Sequence, residues 1–408
     1  MTTCRSCQSP DLVPVVSLGM LPACNAFHPI GSRIDSEKFY PHDLLRCPNC
    51  ELVQLGFVPP QTETFPASYP YTSSTTRALR ENFADLATEA NALIGLKPED
   101  LVIDIGGNDG NLLSNFVGKQ RVLNVTPEDI GVLGVERGIP HLQRYWGQIA
   151  SEEARAAHGK AKLITATNVF AHVPDPHEFI VSAFSCLADD GVFLTESHYL
   201  RDLLKGVQFD AVYGEHARYL SLTAIRNMLK RHNLVIPFAR TIDSHGGSIR
   251  VYACRPDVAN EIGRKAAENK LRARMITDDY IEPRDFEVFA RRVAESKVQL
   301  WRLLSSIKEM GGRIFGIGAP SRAATLINYC GIDHNVLDCI VEIEGSYKIG
   351  KYMPGTKIPV VSEEALYTQV PEFALMLNHH LSGSMIEMLR SKGYRGKFVI
   401  PLPEAKVV

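Results

Sequence analysis

The chain has 408 residues, of which 45% are hydrophobic and 22% charged, and its formal net charge is −2. This length predicts two or three domains with ordinary cores, and the near-neutral charge argues against nucleic-acid or acidic-membrane binding. The first residues lack a signal-peptide pattern, and no apolar run is long enough to span a membrane, so we expect a soluble, cytoplasmic protein.

Two Cys-x-x-Cys pairs come first in the chain, Cys4 with Cys7 and Cys47 with Cys50. Each pair forms a turn that aims two sulfurs at one point, so four thiolates can surround a structural Zn²⁺ tetrahedrally. Two disulfides or four free thiols are the alternative, which fits a reducing cytosol poorly. The other five cysteines lie in apolar segments, where thiols commonly act as small core residues.

The segment 65–76, FPASYPYTSSTT, is aromatic and rich in turn residues. It is either a plain linker or a wall that presents Tyr69, Tyr71, Ser73 and Ser74 to a ligand. An amphipathic helix is predicted to follow over residues 77–96, because its apolar residues recur near a 3.6-residue period.

Residues 101–116, LVIDIGGNDGNLLSNF, predict a strand, a glycine-rich turn and a helix. That order opens a doubly wound α/β domain, whose ligand lies over the carboxyl ends of the strands. The segments 122–127, 162–176 and 190–200 predict further strands, and 179–187 a helix. Taken alone, such a glycine-rich turn is weak evidence for any one ligand.

The stretch 209–221, FDAVYGEHARYLS, brings Tyr213, Glu215 and His216 into four positions. Burying these groups together with Arg218 requires a partner for every charge, so a regular core element is not expected. The segment alone fits a polar loop or edge strand as well as it fits an active site.

The second half predicts a smaller α/β domain. Residues 256–310 predict a pair of linking helices whose charge runs are solvated faces. Residues 313–332 and 337–344 then predict strand, glycine-rich turn, helix and strand, and the turn at 316–319 suits a phosphate at a helix N-terminus. The sequence HGGS (245–248) allows either close approach of a ligand or a plain hairpin turn.

The order of these motifs is similar to that of one family. Zinc knuckles, YPYTSS, G-x-N-D-G, NVFAHVPD, FDxxYxEHxxYxS and HGGSIR, in this order, resemble the S-adenosylmethionine (SAM)-dependent sugar C-methyltransferases of deoxysugar biosynthesis. Members methylate carbon-3 or carbon-5 of nucleotide-linked keto-sugars. The resemblance runs over essentially the whole chain.

This resemblance implies an α/β protein of three parts. Residues 1–76 form a zinc-binding module with an active-site tyrosine segment, and residues 77–255 a class I (Rossmann-like) methyltransferase domain that binds SAM. Residues 256–408 form linking helices and a smaller Rossmann-like domain that binds the nucleotide sugar.

The resemblance also implies roles for single residues. His216 is the expected base, which suits an imidazole titrating near neutral pH. Glu215 would orient or charge-stabilise that imidazole, Tyr213 would donate a hydrogen bond toward the enolate oxygen, and Tyr71 is the family's other active-site tyrosine. The expected SAM ligands are Asp104, Gly106, Gly107, Asn108, Asp109, Thr126, Asn168 and His172. The expected substrate ligands are Tyr69, Ser73, His245, Arg322, Tyr347, Lys348 and Lys351.

The chain departs from the family pattern at three places. Thr126 stands where the fold usually has a carboxylate for the two ribose hydroxyls of SAM, which predicts weaker binding unless Glu128 or Asp129 reaches over. Gly214 replaces a histidine, which we interpret as room for a bulkier substrate or for a different ring substituent. Arg322-Ala323-Ala324 replaces a Lys-Gly-Asn sequence after the second glycine-rich turn.

The prediction is therefore a SAM-dependent C-methyltransferase acting beside the ketone of a nucleotide-linked keto-deoxysugar. The alternatives are a methyltransferase of a non-sugar, oxygen or nitrogen acceptor, and a non-catalytic binding subunit. We expect a small-molecule substrate, no nucleic-acid or membrane partner, and a monomer or weak homodimer.

Overall fold

The computed structural model describes residues 2–33, 37–60, 72–75 and 77–408. Tyr69 and Tyr71 lie outside the described residues. In the part of the chain that is described, no helix is both long and apolar enough to cross a membrane.

The N-terminal module is built on an antiparallel sheet. Its strands are β1 (Val13–Pro22), β2 (His28–Pro29), β3 (Phe39–Arg46) and β4 (Val53–Leu55). Strands β1, β3 and β4 pair in that order, while β2 leaves the module and pairs with a strand of the C-terminal domain. The module therefore contacts the far end of the chain through its own backbone.

The central domain is a seven-stranded sheet with helices against it. Its elements are α1 (Arg77–Ile94), β5 (Leu101–Ile105), β6 (Arg121–Val125), α2 (Val132–Val135), β7 (His141–Leu142), α3 (Gln148–His158), β8 (Ala161–Thr167), α4 (Pro176–Cys186), β9 (Leu187–His198), α5 (Leu200–Lys205), β10 (Arg218–Tyr219), α6 (Leu222–Lys230), β11 (Val235–Ile242) and β12 (Ser248–Cys254). The sheet order is β11-β12-β9-β8-β5-β6-β7, with β5 through β9 parallel and β11 and β12 antiparallel. All five residues of β5 are buried, as a parallel strand covered on both faces requires.

One predicted element of this domain is shorter than expected. After the first glycine-rich turn the chain forms only a 3-10 turn, Leu113–Asn115, where the sequence predicted a helix. Gly110 and Gly118 have φ values of +76° and bound the segment on both sides. The residues between them form a single 3-10 turn before β6 begins at Arg121, so the predicted α-helix is not formed in this segment.

The C-terminal part begins with two helices and continues into a mixed sheet. Its elements are α7 (Pro256–Glu268), α8 (Pro283–Glu309), β13 (Ile314–Ile317), α9 (Ser321–Cys330), β14 (Cys339–Glu342), β15 (Lys351–Tyr352), β16 (Pro359–Ser362), α10 (Glu364–Thr368), β17 (Phe373–Met376), α11 (Ser382–Ser391), β18 (Lys397–Ile400) and β19 (Lys406–Val407). The sheet order is β19-β18-β17-β13-β14-β16-β15-β2. Its central strands are parallel, which confirms the predicted smaller Rossmann-like domain.

One hydrophobic core joins the three parts. Leu44 and Leu55 of the zinc module, Phe209 and Val212 of the central domain, and Leu326 of α9 belong to one cluster of buried side chains. Burying each such side chain contributes about 1.5–3 kcal/mol relative to exposure in water. The segment that begins at Phe209 therefore lies where the three parts meet.

Candidate active site

The loop between α5 and α6 carries the predicted catalytic residues and is held from two sides. Its strand β10 pairs with β4, which adds it to the sheet of the zinc module. The buried Arg218 donates to the carbonyls of Val173 and Pro174, the latter at 2.7 Å. The loop is thus fixed between the zinc module and the segment that follows β8, although it is not a regular core element itself.

His216 has a defined tautomer. Its Nδ1 lies 3.1 Å from the carbonyl of Ala211, and its Nε2 lies 3.0 Å from the hydroxyl of Tyr213. Because a carbonyl only accepts, Nδ1 carries the proton and the lone pair of Nε2 accepts from Tyr213. Burial, together with the nearby His172 and His198 rings, holds the pKa of His216 well below its usual value. The imidazole is therefore neutral and basic at Nε2.

Tyr213 remains a hydrogen-bond donor over the physiological pH range. Burial and the charge of Glu215 raise the pKa of Tyr213 well above its usual value. The Tyr213 and His216 rings lie against each other, with centroids 4.2 Å apart. A protonated phenol and a neutral imidazole are thus paired at one point of the cleft.

Glu215 lies in this loop, but its carboxylate does not contact the His216 ring through either ring nitrogen, since both have other partners. Its Oε1 instead accepts from the side-chain amide of Asn25 at 2.5 Å and from the Cys24 thiol at 3.4 Å. Asn25 and Cys24 belong to the zinc module, and no sequence pattern marks them as neighbours of Glu215. No spacing rule connects Asn25 with a residue 190 positions away.

His172, predicted as a SAM ligand, lies against the catalytic loop. Its Nδ1 donates to the backbone carbonyl of Glu215 at 2.6 Å, and its ring centroid is 4.8 Å from that of His216. Burial lowers the pKa of His172, so its ring is neutral. Asn168, four residues earlier, has a φ of +56° and donates its backbone N–H to the carbonyl of Glu196 at 2.7 Å.

The first glycine-rich turn leaves no room for side chains. At Gly106 (φ +65°) a Cβ would overlap Val169, and at Gly107 it would lie 2.7 Å from Oδ2 of Asp104. Asp104 is buried and accepts from the Thr165 hydroxyl at 2.6 Å, and burial raises its pKa to about 7. A tightly packed backbone turn over the carboxyl end of β5 fits a bound SAM, and the predicted SAM ligands Asp104, Gly106 and Gly107 lie at this turn.

The rest of the cradle is tied to the segment before α1. The Ser73 hydroxyl donates to Asp109 at 2.5 Å, and the Ser73 N–H donates to the side chain of Asn108 at 2.9 Å. Asn108 has a φ of +51°, which glycine or asparagine tolerates best. Ser73, predicted to bind substrate, is thus placed beside the cofactor turn, next to the predicted tyrosine segment in sequence.

Thr126 at the end of β6 has a carboxylate beside it. Its buried hydroxyl donates to Glu128, two residues further on. Glu128 is half-buried, whereas its neighbour Asp129 is exposed and bonded to the side-chain amide of Gln143 at 2.8 Å. Of the two predicted substitutes for the missing carboxylate, the geometry favours Glu128.

Gly214 does not enlarge the cleft. A Cβ at this position would lie 2.9 Å from Pro59 and 3.9 Å from Nε2 of His42, both in the zinc module. The expected room for a bulkier substrate is therefore wrong, because the module fills the space on this side. His42 is buried, and its Nδ1 donates to the carbonyl of Tyr40 at 2.8 Å.

Arg322, predicted to bind substrate, binds protein groups instead. Its Nε lies 2.7 Å and its Nη2 3.0 Å from the carboxylate of Asp210. The remaining donors reach Gln208 at 3.0 Å and a ring nitrogen of His380 at 3.0 Å. Burial acts to raise the pKa of Asp210, but Arg322 and His379 offset this and hold it well below its usual range. Arg322 is thus an ionic link from α9 to the start of the catalytic loop.

The other predicted substrate residues form two groups. The Lys348 ammonium donates to the carbonyl of Ala319 at 2.7 Å and lies over the rings of Phe27 and Tyr347, while Lys351 lies over Tyr347. Burial lowers the pKa of Lys348. Lys348 is thus at the second glycine-rich turn, and Lys351 lies near it through the Tyr347 ring.

His245 lies apart from them, on the side of Arg322. Its ring Nδ1 is 2.8 Å from the Ser244 hydroxyl, and its carbonyl is 3.5 Å from Arg322.

The Ala319 N–H of the second glycine-rich turn donates to Glu342 at 2.9 Å, so a carboxylate already occupies part of the expected phosphate position.

The four cysteines of the zinc module converge. Their sulfurs lie within 4.8 Å of one another, with Cys4 to Cys50 at 3.5 Å and Cys7 to Cys47 at 3.4 Å. Tetrahedral zinc with bonds of about 2.3 Å requires sulfurs about 3.8 Å apart, so the cluster fits Zn²⁺. The two knuckles are alike, since Gln8 and Glu51, which follow them, both have positive φ. The predicted zinc site is confirmed.

Comparisons with known proteins match all three parts. Family models described as a zinc binding domain, a methyltransferase domain and a C-methyltransferase C-terminal domain match residues 4–65, 71–236 and 243–403. The C-methyltransferase NovU of Streptomyces niveus is 31% identical over 413 residues, which cover 99% of this chain and 96% of that protein.

Solved structures are more distantly similar. The plantazolicin methyltransferase BpumL in complex with SAH is 12% identical, with a TM-score of 0.37, and the match covers 48% of this chain and 93% of that one. The magnesium protoporphyrin IX methyltransferase ChlM of Synechocystis PCC 6803 is 14% identical, with a TM-score of 0.33, and the match covers 43% and 82%.

Proposed function

This chain belongs to the SAM-dependent C-methyltransferase family, and from that premise we propose that it methylates the carbon beside the ketone of a nucleotide-linked keto-deoxysugar. The observation that carries the proposal is the neutral His216 imidazole paired with the Tyr213 hydroxyl. An acidic C–H bond and a developing enolate oxygen require a base and a donor of this kind.

The residues of the chain divide the reaction between them. Bound SAM supplies an electrophilic methyl group. Nε2 of His216 takes the proton from the carbon beside the ketone, and the electron pair of that C–H bond becomes the enolate. The enolate carbon would then bond to the methyl carbon of bound SAM as the methyl–sulfur bond breaks, so that its electron pair returns to sulfur and S-adenosylhomocysteine leaves. The Tyr213 hydroxyl turns from Nε2 toward the enolate oxygen and stabilises its charge. Neutral His172 holds the loop at the Glu215 carbonyl without adding a charge.

The acceptor decides between this proposal and its alternatives. Wild-type protein should transfer label from methyl-labelled SAM to a member of a panel of nucleotide-linked keto-sugars, and the label should reside on carbon beside the ketone. In deuterated water without SAM, that carbon should exchange its hydrogen for deuterium. Label on oxygen or nitrogen, or transfer only to a non-sugar acceptor, contradicts the proposal. Absence of SAM binding by calorimetry at millimolar ligand would contradict any methyltransferase activity.

We expect Glu128→Gln to weaken SAM binding about tenfold, because a neutral amide replaces charge-assisted hydrogen bonds to the ribose hydroxyls. Thr126 contacts Oε2 of Glu128 and leaves Oε1 for the ligand. Isothermal calorimetry measures the dissociation constant. Asp129→Asn, one residue away and exposed, is the matched control and should bind SAM as the wild type does. Equal dissociation constants for Glu128→Gln and wild type would exclude this role for Glu128.

A further inference from the structure

One turn of the zinc module reaches the catalytic loop. It follows β1 and is closed by backbone hydrogen bonds from Ala26 to Ala23 at 3.0 Å and from Phe27 to Asn25 at 2.9 Å. Leu21 and Cys24 are buried beside it in the shared core. The turn therefore holds the Asn25 side chain in a fixed place beside the catalytic loop.

We propose that Asn25 is a positioning residue that fixes the carboxylate of Glu215 in the active site. The inference rests on the proposed function for its catalytic meaning, and on geometry for the contact itself. The Asn25 amide donates to Oε1 of Glu215 at 2.5 Å, and Glu215 is 6% exposed. A buried carboxylate is stable as an anion only when donors replace its water, and a hydrogen bond to a charged group is among the stronger ones. The neighbouring Cys24 thiol at 3.4 Å is a weak donor by comparison.

The orientation of the Asn25 amide follows from its two partners. A carboxylate oxygen must receive the NH₂ group, which leaves Oδ1 as an acceptor. The Ser321 hydroxyl, at the first residue of α9, donates to that Oδ1 at 3.4 Å. Asn25 therefore contacts the central domain through one end of its amide and the C-terminal domain through the other.

This placement links the site to the assembly of the whole chain. The charge of Glu215 raises the pKa of Tyr213. The backbone carbonyl of Glu215 accepts a hydrogen bond from His172, whose ring lies against that of His216. A rotated carboxylate would move negative charge relative to the Tyr213 hydroxyl, which must stabilise the enolate. Asn25 thus acts through Glu215 without contacting the reacting atoms itself.

Two substitutions test the proposal. Asn25→Asp keeps the shape but puts a second carboxylate against Glu215, so that the pair must share a proton. We expect kcat to fall about 10- to 100-fold with KM for SAM unchanged, because a shared proton replaces the charge-assisted contact between the Asn25 amide and the Glu215 carboxylate. The acid limb of the pH–rate profile should move up by about one pH unit or more. Asn25→Ala removes the donor and should lower kcat in the same direction.

The titration of the Glu215 carboxyl group can be measured by NMR without substrate, in addition to the kinetics. In protein labelled with ¹³C at the glutamate carboxyl, the resonance missing from Glu215→Gln identifies Glu215. Its titration should shift to higher pH by about one unit in Asn25→Ala, since the anion loses a donor. Asn91→Asp, on the exposed face of α1, is the matched control and should change neither the titration nor kcat. Thermal unfolding and zinc content should be those of the wild type in all variants.

The outcomes separate the two proposals. Wild-type kcat and an unshifted Glu215 titration in folded Asn25 variants would overturn the role of Asn25 and leave the proposed function intact. If the wild type transfers no methyl group to any keto-sugar, the proposed function fails, and the Glu215 titration in Asn25→Ala still decides whether Asn25 fixes the carboxylate. If Asn25→Asp does not fold, Asn25→Ala gives the same decision.

Discussion

His216→Asn is expected to lower the rate of methyl transfer by about 10²- to 10⁴-fold, the usual contribution of a general base. Asparagine can still accept a hydrogen bond from Tyr213, but it cannot carry away a proton. Because both ring nitrogens of His216 bond to groups of its own loop, Ala211 and Tyr213, SAM should bind as tightly as in the wild type. The measurements are kcat with labelled SAM, and the dissociation constant by calorimetry.

Deuterium exchange isolates the step that this histidine performs. In deuterated water the wild type should exchange the hydrogen beside the ketone, and His216→Asn should not. His334→Asn, at an exposed position of the C-terminal domain, is the control for a general effect of losing an imidazole. Exchange in His216→Asn at the wild-type rate would mean that another group is the base.

The same base determines the pH dependence of the rate. A base acts when it is deprotonated, and burial beside two other imidazoles lowers the pKa of His216. The acid limb of the profile should therefore lie below about pH 6.5, the value of an unperturbed histidine. An acid limb at or above that value would contradict the neutral, buried imidazole.

The zinc cluster and the glycine-rich turn were predictable from the sequence, because residues close together in the chain determine their geometry. The zinc cluster was predictable from two Cys-x-x-Cys turns, because each turn by itself places two sulfurs close together. A single long-range contact between the two turns then completes the site. The glycine-rich turn after β5 followed from residues adjacent in the chain, since positive φ at Gly106 and close approach at Gly107 are properties of single positions.

Contacts between distant segments were not predictable in this way. Asn25 meets Glu215 only because β1, β4 and β10 lie in one sheet and bring the zinc module to the loop. Gly214 suggested free space from its missing side chain, but Pro59 of the zinc module fills it. The family resemblance predicts Arg322 as a substrate ligand, but its guanidinium pairs with Asp210. Each outcome depends on tertiary packing that no periodicity records.

Cys47→Ser is expected to remove the zinc ion and to lower both stability and activity. Structural zinc contributes about 10–16 kcal/mol to the folding of isolated zinc-finger peptides, and here the remaining contacts of the module offset part of such a loss. A zinc ion bound by all four cysteines would hold Cys4 and Cys7 against the knuckle that precedes β4, so the paired strands β4 and β10 should open when it is lost.

The consequence of zinc loss should reach the catalytic loop. Strand β4 pairs with β10 two residues after His216, and Asn25 contacts Glu215, so an open module withdraws support from both. Hydrogen exchange should therefore rise at Arg218 and Tyr219 as well as in the module, while the sheet strands β5 and β8 stay protected. Asn49→Ala, exposed within the same knuckle, should keep its zinc and its kcat. A zinc-free variant with wild-type kcat and protection in β10 would show that the loop is held without the metal.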